Sequence, residues 1–216
     1  MKSPAENLAR VRAELRQLGR EDVQIVGVVK GQPLEKVRQA VDAGLGVLGV
    51  NYLQEGTHLQ DRLGKTEAQW HFIGHIQSRK AKHLSSYTLI ESVDRLPIAQ
   101  ALSQASCTLG KIQDVLVEIN IGAEPDKSGI LAPEVVTFLE ELERLKGIQV
   151  LGLMALPPPI FPVEERAPFF KRMRRLLDTH DFRYLSMGTS DDYHVAVQEG
   201  ATAIRLGTGL FGPRAP

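Results

Sequence analysis

Short apolar runs recur eight times along this chain of 216 residues, and a helix-like pattern follows each of them. The runs predict strands near 24–29, 47–50, 69–73, 87–91, 114–121, 149–154, 184–186 and 203–206. Helices are predicted near 33–43, 52–60, 78–83, 95–105, 133–145, 163–179 and 191–199, with a short last one after 207. Eight alternating units favour an α/β fold of the (β/α)8 TIM barrel type over an open sheet.

An additional helix is predicted before the first strand. Ser3 can cap it, Pro4 suits its first turn, and Glu6 completes a capping box. Gly19 is expected to end this helix after about Leu18. We expect residues 1–216 to form a single barrel domain with this extra N-terminal helix on its underside or flank.

Composition narrows the range of partners. The 26 basic and 26 acidic residues cancel, which predicts no nucleic-acid or membrane-surface partner. The single cysteine, Cys107, excludes an intrachain disulfide framework and fits a reducing compartment. The N-terminus lacks the apolar stretch of a signal peptide, and no run approaches the roughly 20 apolar residues of a membrane span. We therefore expect a cytoplasmic protein, and we expect it to be a monomer.

Polar residues follow four of the predicted strands directly. Lys30 and Asn51 come after the first and second strands, and the segments 186–190 and 205–209 lie at the last two. In a TIM barrel all of these strand ends meet at one mouth, where the loops after strands seven and eight commonly bind phosphate. These residues are therefore predicted to form one site.

Lys30 and Arg205 are the candidate charged groups of that site. Partial burial of the Lys30 amine after a wholly apolar strand is expected to lower its pKa and make it a usable Schiff-base nucleophile. Arg205 lies two residues before Gly207, so strand alternation points both toward the same face. Its guanidinium can donate to a ring nitrogen or bind an anion.

The two glycine-containing segments after the last strands supply groups that a phosphate requires. Residues 186–190 offer hydroxyls and a permissive backbone, and residues 207–209 offer amides at the start of a final helical turn. For each segment alone, ordinary turn and capping chemistry is an equally good explanation. Together with Lys30, they predict a phosphorylated cofactor that is held through an amine.

Three other motifs point to no chemistry. Residues 44–49 match the GxGxxG pattern, but they follow a predicted helix and enter a strand, the reverse of a dinucleotide site. His71 and His75 have the spacing of zinc ligands on a helix, yet a strand would separate them by about 13 Å. The basic run 79–83 is short and lacks aromatic residues, so we interpret it as the solvent-exposed face of a helix.

Two further segments have structural interpretations. Asp191 and Asp192 form a tempting acidic pair, but beside Ser190 they fit a capped helix start better. The proline-rich segment 156–162 predicts a stiff loop after the sixth strand, which serves either as a spacer or as a wall of the mouth.

Ordered blocks of sequence through nearly the whole chain carry a resemblance to a known family. They are Val29-Lys30, residues 51–55, residues 70–77, Asn120-Ile121, residues 127–130, residues 152–157, residues 185–192 and residues 205–212. On these blocks the chain resembles the YggS/PROSC family of pyridoxal 5′-phosphate (PLP) homeostasis proteins, whose fold is like the N-terminal barrel of alanine racemase.

The resemblance implies a function and a set of roles. The protein would hold PLP as a Schiff base and serve intracellular PLP homeostasis, with PLP-dependent apoenzymes as partners. The implied cofactor-binding residues are Lys30 as the covalent aldimine, Arg205 at the pyridine nitrogen, Ser190, Gly207 and Thr208 at the phosphate, and Asn51 and Met154 around the ring. The chain departs from the family pattern at Val29, Val50 and Arg79, where Ser, Glu and Asn are usual; the first two changes would alter the polarity around the Schiff base.

Two alternatives remain open at this stage: a racemase or other PLP enzyme, and an unrelated barrel in which Lys30 forms a Schiff base with a phosphorylated substrate. Racemisation needs a base on each face of the substrate carbanion. In alanine racemase, which the barrel resembles, the second base is a tyrosine from an additional domain, and this chain ends at Pro216. Only Tyr52 is expected near the mouth, so we expect no efficient racemase activity.

Overall fold

The computed structural model, which describes residues 2–158 and 161–213, contains a closed barrel of eight parallel strands. These strands are β1 Gln24–Val28, β2 Val47–Val50, β3 Gln69–Phe72, β4 Leu89–Val93, β5 Gln113–Asn120, β7 Ile148–Ala155, β8 Tyr184–Ser186 and β9 Ala203–Leu206. β9 pairs with β1 and β4 with β5, which closes the ring. A two-residue strand, β6 (Ile130–Leu131), pairs with the end of β5. The TIM barrel prediction is confirmed.

Helices surround the barrel. They are α1 Pro4–Gln17, α2 Leu34–Asp42, α3 Leu53–Leu63, α4 Leu96–Thr108, α5 Val135–Glu143, α6 Ala167–Asp178, α7 Tyr193–Gln198 and α8 Thr208–Phe211. The helix predicted near 78–83 is present, as the 3-10 helix Ser78–His83. This segment buries only Ala81, so it lacks the apolar stripe that stabilises a longer α-helix.

The capping box predicted for α1 is present. The Ser3 side chain accepts from the Glu6 amide, and the Glu6 carboxylate accepts from the Ser3 amide. Leu8, Val11 and Leu15 form the buried face of the helix. α1 lies against α2 and α8, so it covers the flank and the lower rim of the barrel.

Alternate strand residues face the surrounding helices and the barrel lumen. On β5, Val117 belongs to the large core that includes the helices, whereas Leu116 packs with Met154 of β7 in a separate inner cluster. Glu118 therefore faces the lumen with Leu116. The register places Glu118, Met154 and Ser186 in one row across β5, β7 and β8.

The proline-rich segment packs at the end of β7. Pro157 and Pro158 are buried, and the Lys127 Nζ contacts the Pro157 carbonyl oxygen at 3.4 Å, so this part packs against the loop after β5. Residues 159 and 160 of the predicted stiff loop lie outside the described residues.

Among the helices that the structure describes, none is long and apolar enough to span a bilayer. The assignment of residues 1–216 to a single domain stays a prediction.

Candidate functional site

Lys30 lies at the mouth of the barrel. It follows β1 and is half-buried, and alternation along the strand places it on the lumen side with Val26 and Val28. Its Nζ lies 4.9 Å from the centroid of the Tyr52 ring at the start of α3. Cation–π attraction to this ring holds the amine at the mouth.

Ser190 and the backbone after β9 meet on the same side of the mouth. The Ser190 Oγ accepts from the Gly207 amide at 3.2 Å and from the Gly209 amide at 2.9 Å. A Cβ added to Gly207 would make only ordinary van der Waals contact, with Val28 Cβ at 3.8 Å, so the backbone here is not tightly packed. Thr208, which is exposed, begins α8 between the two glycines. The structure thus brings the predicted phosphate residues together.

Arg205 lies deeper in the lumen. It pairs in register with Val26, two lumen-facing positions below Lys30, and it is 4% exposed. Its Nη1 donates to Ser186 Oγ at 2.6 Å and its Nη2 to the Ala155 carbonyl oxygen at 2.8 Å. Burial lowers the pKa of Arg205, against the opposing effect of nearby acidic groups. An arginine nonetheless keeps its charge in proteins.

Glu91 connects Arg205 to a buried network that the sequence analysis missed. One carboxylate oxygen of Glu91 lies 2.8 Å from His71 Nδ1, and the other accepts from Ser186 Oγ at 2.6 Å. The second oxygen also lies 4.0 Å from Arg205 Nη1. Four strands, β3, β4, β8 and β9, each contribute one of these side chains.

The Glu91 carboxyl is held as an anion. Burial alone would raise its pKa, but the hydrogen bond and charge of His71, together with Arg205 and Ser186, bring the pKa below its ordinary value. TIM barrel lumens are normally filled by branched apolar side chains. Burying charged groups in their place costs folding free energy. Such a network therefore indicates a role in the site above it.

Glu118 is a second lumen carboxyl that the sequence analysis missed. Burial, and then the charge of Asp94, raise the pKa of Glu118 to about 7, against the opposing effect of Arg205 and other nearby cations. The pairing of Val93 with Val117 places Asp94 beside it on the neighbouring strand. Glu118 therefore exchanges its proton near neutral pH.

Asn51 lies at the mouth, and Met154 lies deeper in the lumen. Asn51 follows β2, and its Oδ1 is buried with no hydrogen-bond partner among the described residues. Asn51 and Tyr52 also line a cavity of about 240 Å³ at the mouth, together with His75. Met154 is fully buried in the lumen, between Glu118 and Ser186 in register.

The acidic pair has a geometry different from the predicted one, whereas His71 and His75 lie apart, as the predicted strand requires. Asp192 is the N-cap residue of α7, but its side chain makes no capping bond. Instead it accepts from the Thr189 amide at 2.6 Å and pairs with Arg166 at 2.8 Å, and both acids precede α7 rather than lying in its first turn as predicted. His75 lies near Ser128 and Asp94 rather than near His71. In the described part of the chain, no cluster of three potential metal ligands occurs.

A larger cavity of about 410 Å³ lies at the opposite end of the barrel. It is lined by side chains of α1, such as Leu8 and Arg12, and by the starts of β1 and β2. TIM barrel active sites lie at the carboxyl ends of the strands, where Lys30, Ser190 and Arg205 are found. We therefore assign the functional site to the mouth, despite the larger volume below.

The sequence carried a weak signal for the missed residues. Glu91 and Glu118 are carboxylates inside otherwise apolar strand runs, and each lies two residues after an apolar lumen residue, Leu89 or Leu116. An acidic side chain on the inner face of a closed barrel needs a partner. Arg205, whose charge acts on both carboxyls, is remote in sequence, and its proximity becomes visible only once the strands are closed into a ring.

Comparison with known proteins identifies the family. Residues 3–215 match the family model described as alanine racemase, N-terminal domain. A pyridoxal phosphate homeostasis protein of Pseudomonas aeruginosa is 38% identical over 228 residues, covering 99% of this chain and 97% of the relative. One from Aquifex aeolicus is 36% identical over 216 residues, covering 96% and 95%.

Solved structures agree. PipY of Synechococcus elongatus PCC7942, whose structure has PLP bound, superposes with a TM-score of 0.89 at 32% identity, covering 97% of this chain and all of PipY. Alanine racemase of Clostridium difficile 630 superposes with a TM-score of 0.75 at 20% identity, which shows a shared fold; 98% of this chain covers 57% of that enzyme. The chain belongs to the pyridoxal phosphate homeostasis proteins, a family built on the alanine racemase N-terminal domain.

Proposed function

We propose that this protein binds PLP as a Schiff base on Lys30 and serves PLP homeostasis in the cytoplasm, without efficient racemase activity. The observation that carries the proposal is the placement of the Lys30 amine and of the hydrogen-bonded pair Ser190 and Gly207 at one barrel mouth. The PLP-bound structure of PipY and the names of the curated relatives support it. PLP-dependent apoenzymes are the proposed recipients, and the proposed state is a monomer.

The chemistry of the mouth fits this cofactor. PLP carries an aldehyde, a phosphate and a ring nitrogen, and the mouth offers an amine, hydroxyl and amide donors, and a guanidinium. The backbone at Gly207 is not tightly packed, and a Cβ there would make only ordinary contact with Val28. The buried Oδ1 of Asn51, unpartnered among the described residues, offers an acceptor to a donor on the ligand.

Each side chain then has a proposed role. Lys30 provides the nitrogen that condenses with the aldehyde. The list of binding residues is completed by Ser190, Gly207 and Thr208 at the phosphate, Arg205 at the ring nitrogen, and Asn51 and Met154 beside the ring. Bound PLP supplies an electron-withdrawing ring conjugated to an imine. These residues bind and orient it.

The same residues argue against efficient amino-acid catalysis. Arg205 has no proton acceptor and its charge opposes a pyridinium, which is the stronger electron sink. Tyr52 lies against the Lys30 amine, so it does not supply a second base on the opposite face. A positioned base contributes about 10²- to 10⁴-fold to a rate. We infer a carrier or buffer of the cofactor.

The visible absorbance of the PLP-loaded protein tests the proposal. Lys30→Ala is expected to abolish the absorbance of the Schiff base, while Lys65→Ala, which changes an exposed lysine on the loop after α3, is expected to retain it. Circular dichroism shows whether both variants are folded. An unchanged visible spectrum in folded Lys30→Ala would contradict the assignment.

A further inference from the structure

We propose that Glu91 is a positioning residue for the cofactor site: it orients the Arg205 guanidinium through Ser186 and balances its charge inside the lumen. This inference rests on the proposed function, which assigns Arg205 to the ring nitrogen of PLP. Glu91 itself lies in β4, below the mouth, and is fully buried. It acts through other side chains rather than on the ligand.

The hydroxyl of Ser186 transmits the orientation. This group has one hydrogen, and it donates that hydrogen to Glu91 Oε2 at 2.6 Å. Its lone pairs are thereby turned toward Arg205 Nη1, which donates to it at 2.6 Å. Without the carboxylate the hydroxyl is free to rotate, and one of the two anchors of the guanidinium is lost. The other anchor is the Ala155 carbonyl oxygen.

His71 fixes the carboxylate in turn. Its Nδ1 lies 2.8 Å from Glu91 Oε1, so each Glu91 oxygen has its own partner. The contacts form one chain that runs from β3 through β4 to β8 and β9. All four side chains are buried, and each is satisfied by a direct contact with the next side chain.

The second part of the inference concerns charge. Glu91 Oε2 and Arg205 Nη1 are 4.0 Å apart, and both side chains are almost completely buried. The other charged groups that act on Arg205 are Glu118 from β5 and Asp192 before α7, while His71 faces Glu91 from β3. Loss of Glu91 would leave one more positive charge in a region of low dielectric constant, where it acts on any ligand above.

Titration of the PLP-loaded protein tests this charge effect. In Glu91→Gln, the pH midpoint of the visible absorbance change of bound PLP is expected to fall by about one unit, since added positive charge disfavours a protonated Schiff base. A shift of this size in the midpoint is what one unit charge causes at a distance of roughly 10 Å from the titrating group, with an effective dielectric constant of about 20. Glu91→Asp keeps the charge and is expected to stay near the wild-type midpoint. An unchanged midpoint in folded, loaded Glu91→Gln overturns the proposal.

Ser186→Ala tests the orientation without changing any charge. It is expected to weaken PLP binding about fivefold, the effect of one net hydrogen bond. The matched control is Ser103→Ala, a buried serine of α4 whose Oγ accepts from the Gly147 amide at 3.0 Å outside the lumen. Equal PLP affinity in the two variants overturns the proposal, whether or not Glu91→Gln folds.

The outcomes separate this inference from the proposed function. Visible absorbance that persists in Lys30→Ala counts against the proposed function. Variants of Glu91 and Ser186 that load with PLP at Lys30, yet behave like wild type in midpoint and affinity, count against the positioning role alone.

Discussion

Ser190 holds the loop before α7 and the start of α8 together, because its Oγ accepts from the amides of Gly207 and Gly209. Its own hydrogen is then free to be donated to a phosphate. Ser190→Ala is expected to weaken PLP binding by about 10- to 100-fold, the value of one charge-assisted hydrogen bond of about 1.5–3 kcal/mol.

The same substitution should leave the affinity for pyridoxal, which lacks the phosphate, unchanged. Equilibrium titration with both ligands measures the ratio, with Ser86→Ala at an exposed position as the control. An equal loss of affinity for pyridoxal and PLP would place the phosphate elsewhere.

The raised pKa of Glu118 predicts that the free energy of unfolding depends on pH. Burial, with Asp94, raises its pKa to about 7, so between pH 4.5 and 7 the folded protein holds a proton that the unfolded chain has lost. Folding stability from this group is present at low pH and is lost as the pH rises through 7. Glu118→Gln should therefore stabilise the PLP-free protein by on the order of 2 kcal/mol at pH 8, and hardly at all below pH 4.5.

Urea denaturation at the two pH values measures this difference. Glu67→Gln, an exposed carboxylate on the loop after α3, is the control and should show no pH-dependent gain. A gain for Glu118→Gln that is the same at both pH values would mean that the carboxyl does not carry the proton in the folded state.

At the scale of elements, the absence of a side chain at Gly56 allows α3 to pack closely against the barrel. A Cβ at this position would collide with Tyr87 Oη and lie 2.8 Å from Val50 Cγ1. Gly56→Ala is expected to cost about 1–2 kcal/mol, since overpacking outweighs the higher helix propensity of alanine. Because α3 carries Tyr52 at its start, the PLP affinity should fall as well.

Gly46→Ala provides the control, because a Cβ there meets no atom within 4 Å. Its unfolding free energy should stay within about 0.5 kcal/mol of wild type. If Gly56→Ala proved as stable as Gly46→Ala, close packing of α3 would not be what positions Tyr52.

The elements were predictable because buried parallel strands read as continuous apolar runs. β2 is such a run and β9 is one apart from Arg205, and the residues that follow them, Asn51 and Gly207, were located from strand ends alone. The fourth strand was displaced by two residues, because Tyr87 and Thr88 continue the apolar pattern before β4 begins at Leu89. β6 was missed, since two residues carry no periodicity.

The buried network was not predictable in the same way. Glu91 and His71 lie 20 residues apart on the neighbouring strands β4 and β3, so their contact depends on the register of that pair. The local alternation of residues predicts where a strand lies and which of its side chains face inward. Which lumen residues then meet across the barrel depends on the register and the shear of the strands. His71 was therefore considered only as a metal ligand, and its contact with Glu91 was not foreseen.

At the scale of the whole molecule, the barrel is expected to bind its cofactor without efficient turnover of amino acids. Exchange of the Cα hydrogen of alanine with deuterated solvent, followed by NMR, measures the first step of racemisation. We expect exchange by the PLP-loaded protein far below the typical enzymatic rate of about 10 s⁻¹, because one lysine serves only one face of Cα. Rapid exchange with inversion of configuration would show a racemase.

Covalent attachment of PLP to Lys30 is tested most directly by reduction of the PLP-loaded protein with borohydride, followed by peptide mapping with mass spectrometry. Reduction makes the bond to the lysine permanent, so the modified residue can be identified. We predict one pyridoxyl group per chain, on the peptide that contains Lys30, and none on that peptide in Lys30→Ala. Modification confined to another lysine, or no modification of a protein that has bound PLP, would contradict the proposed function.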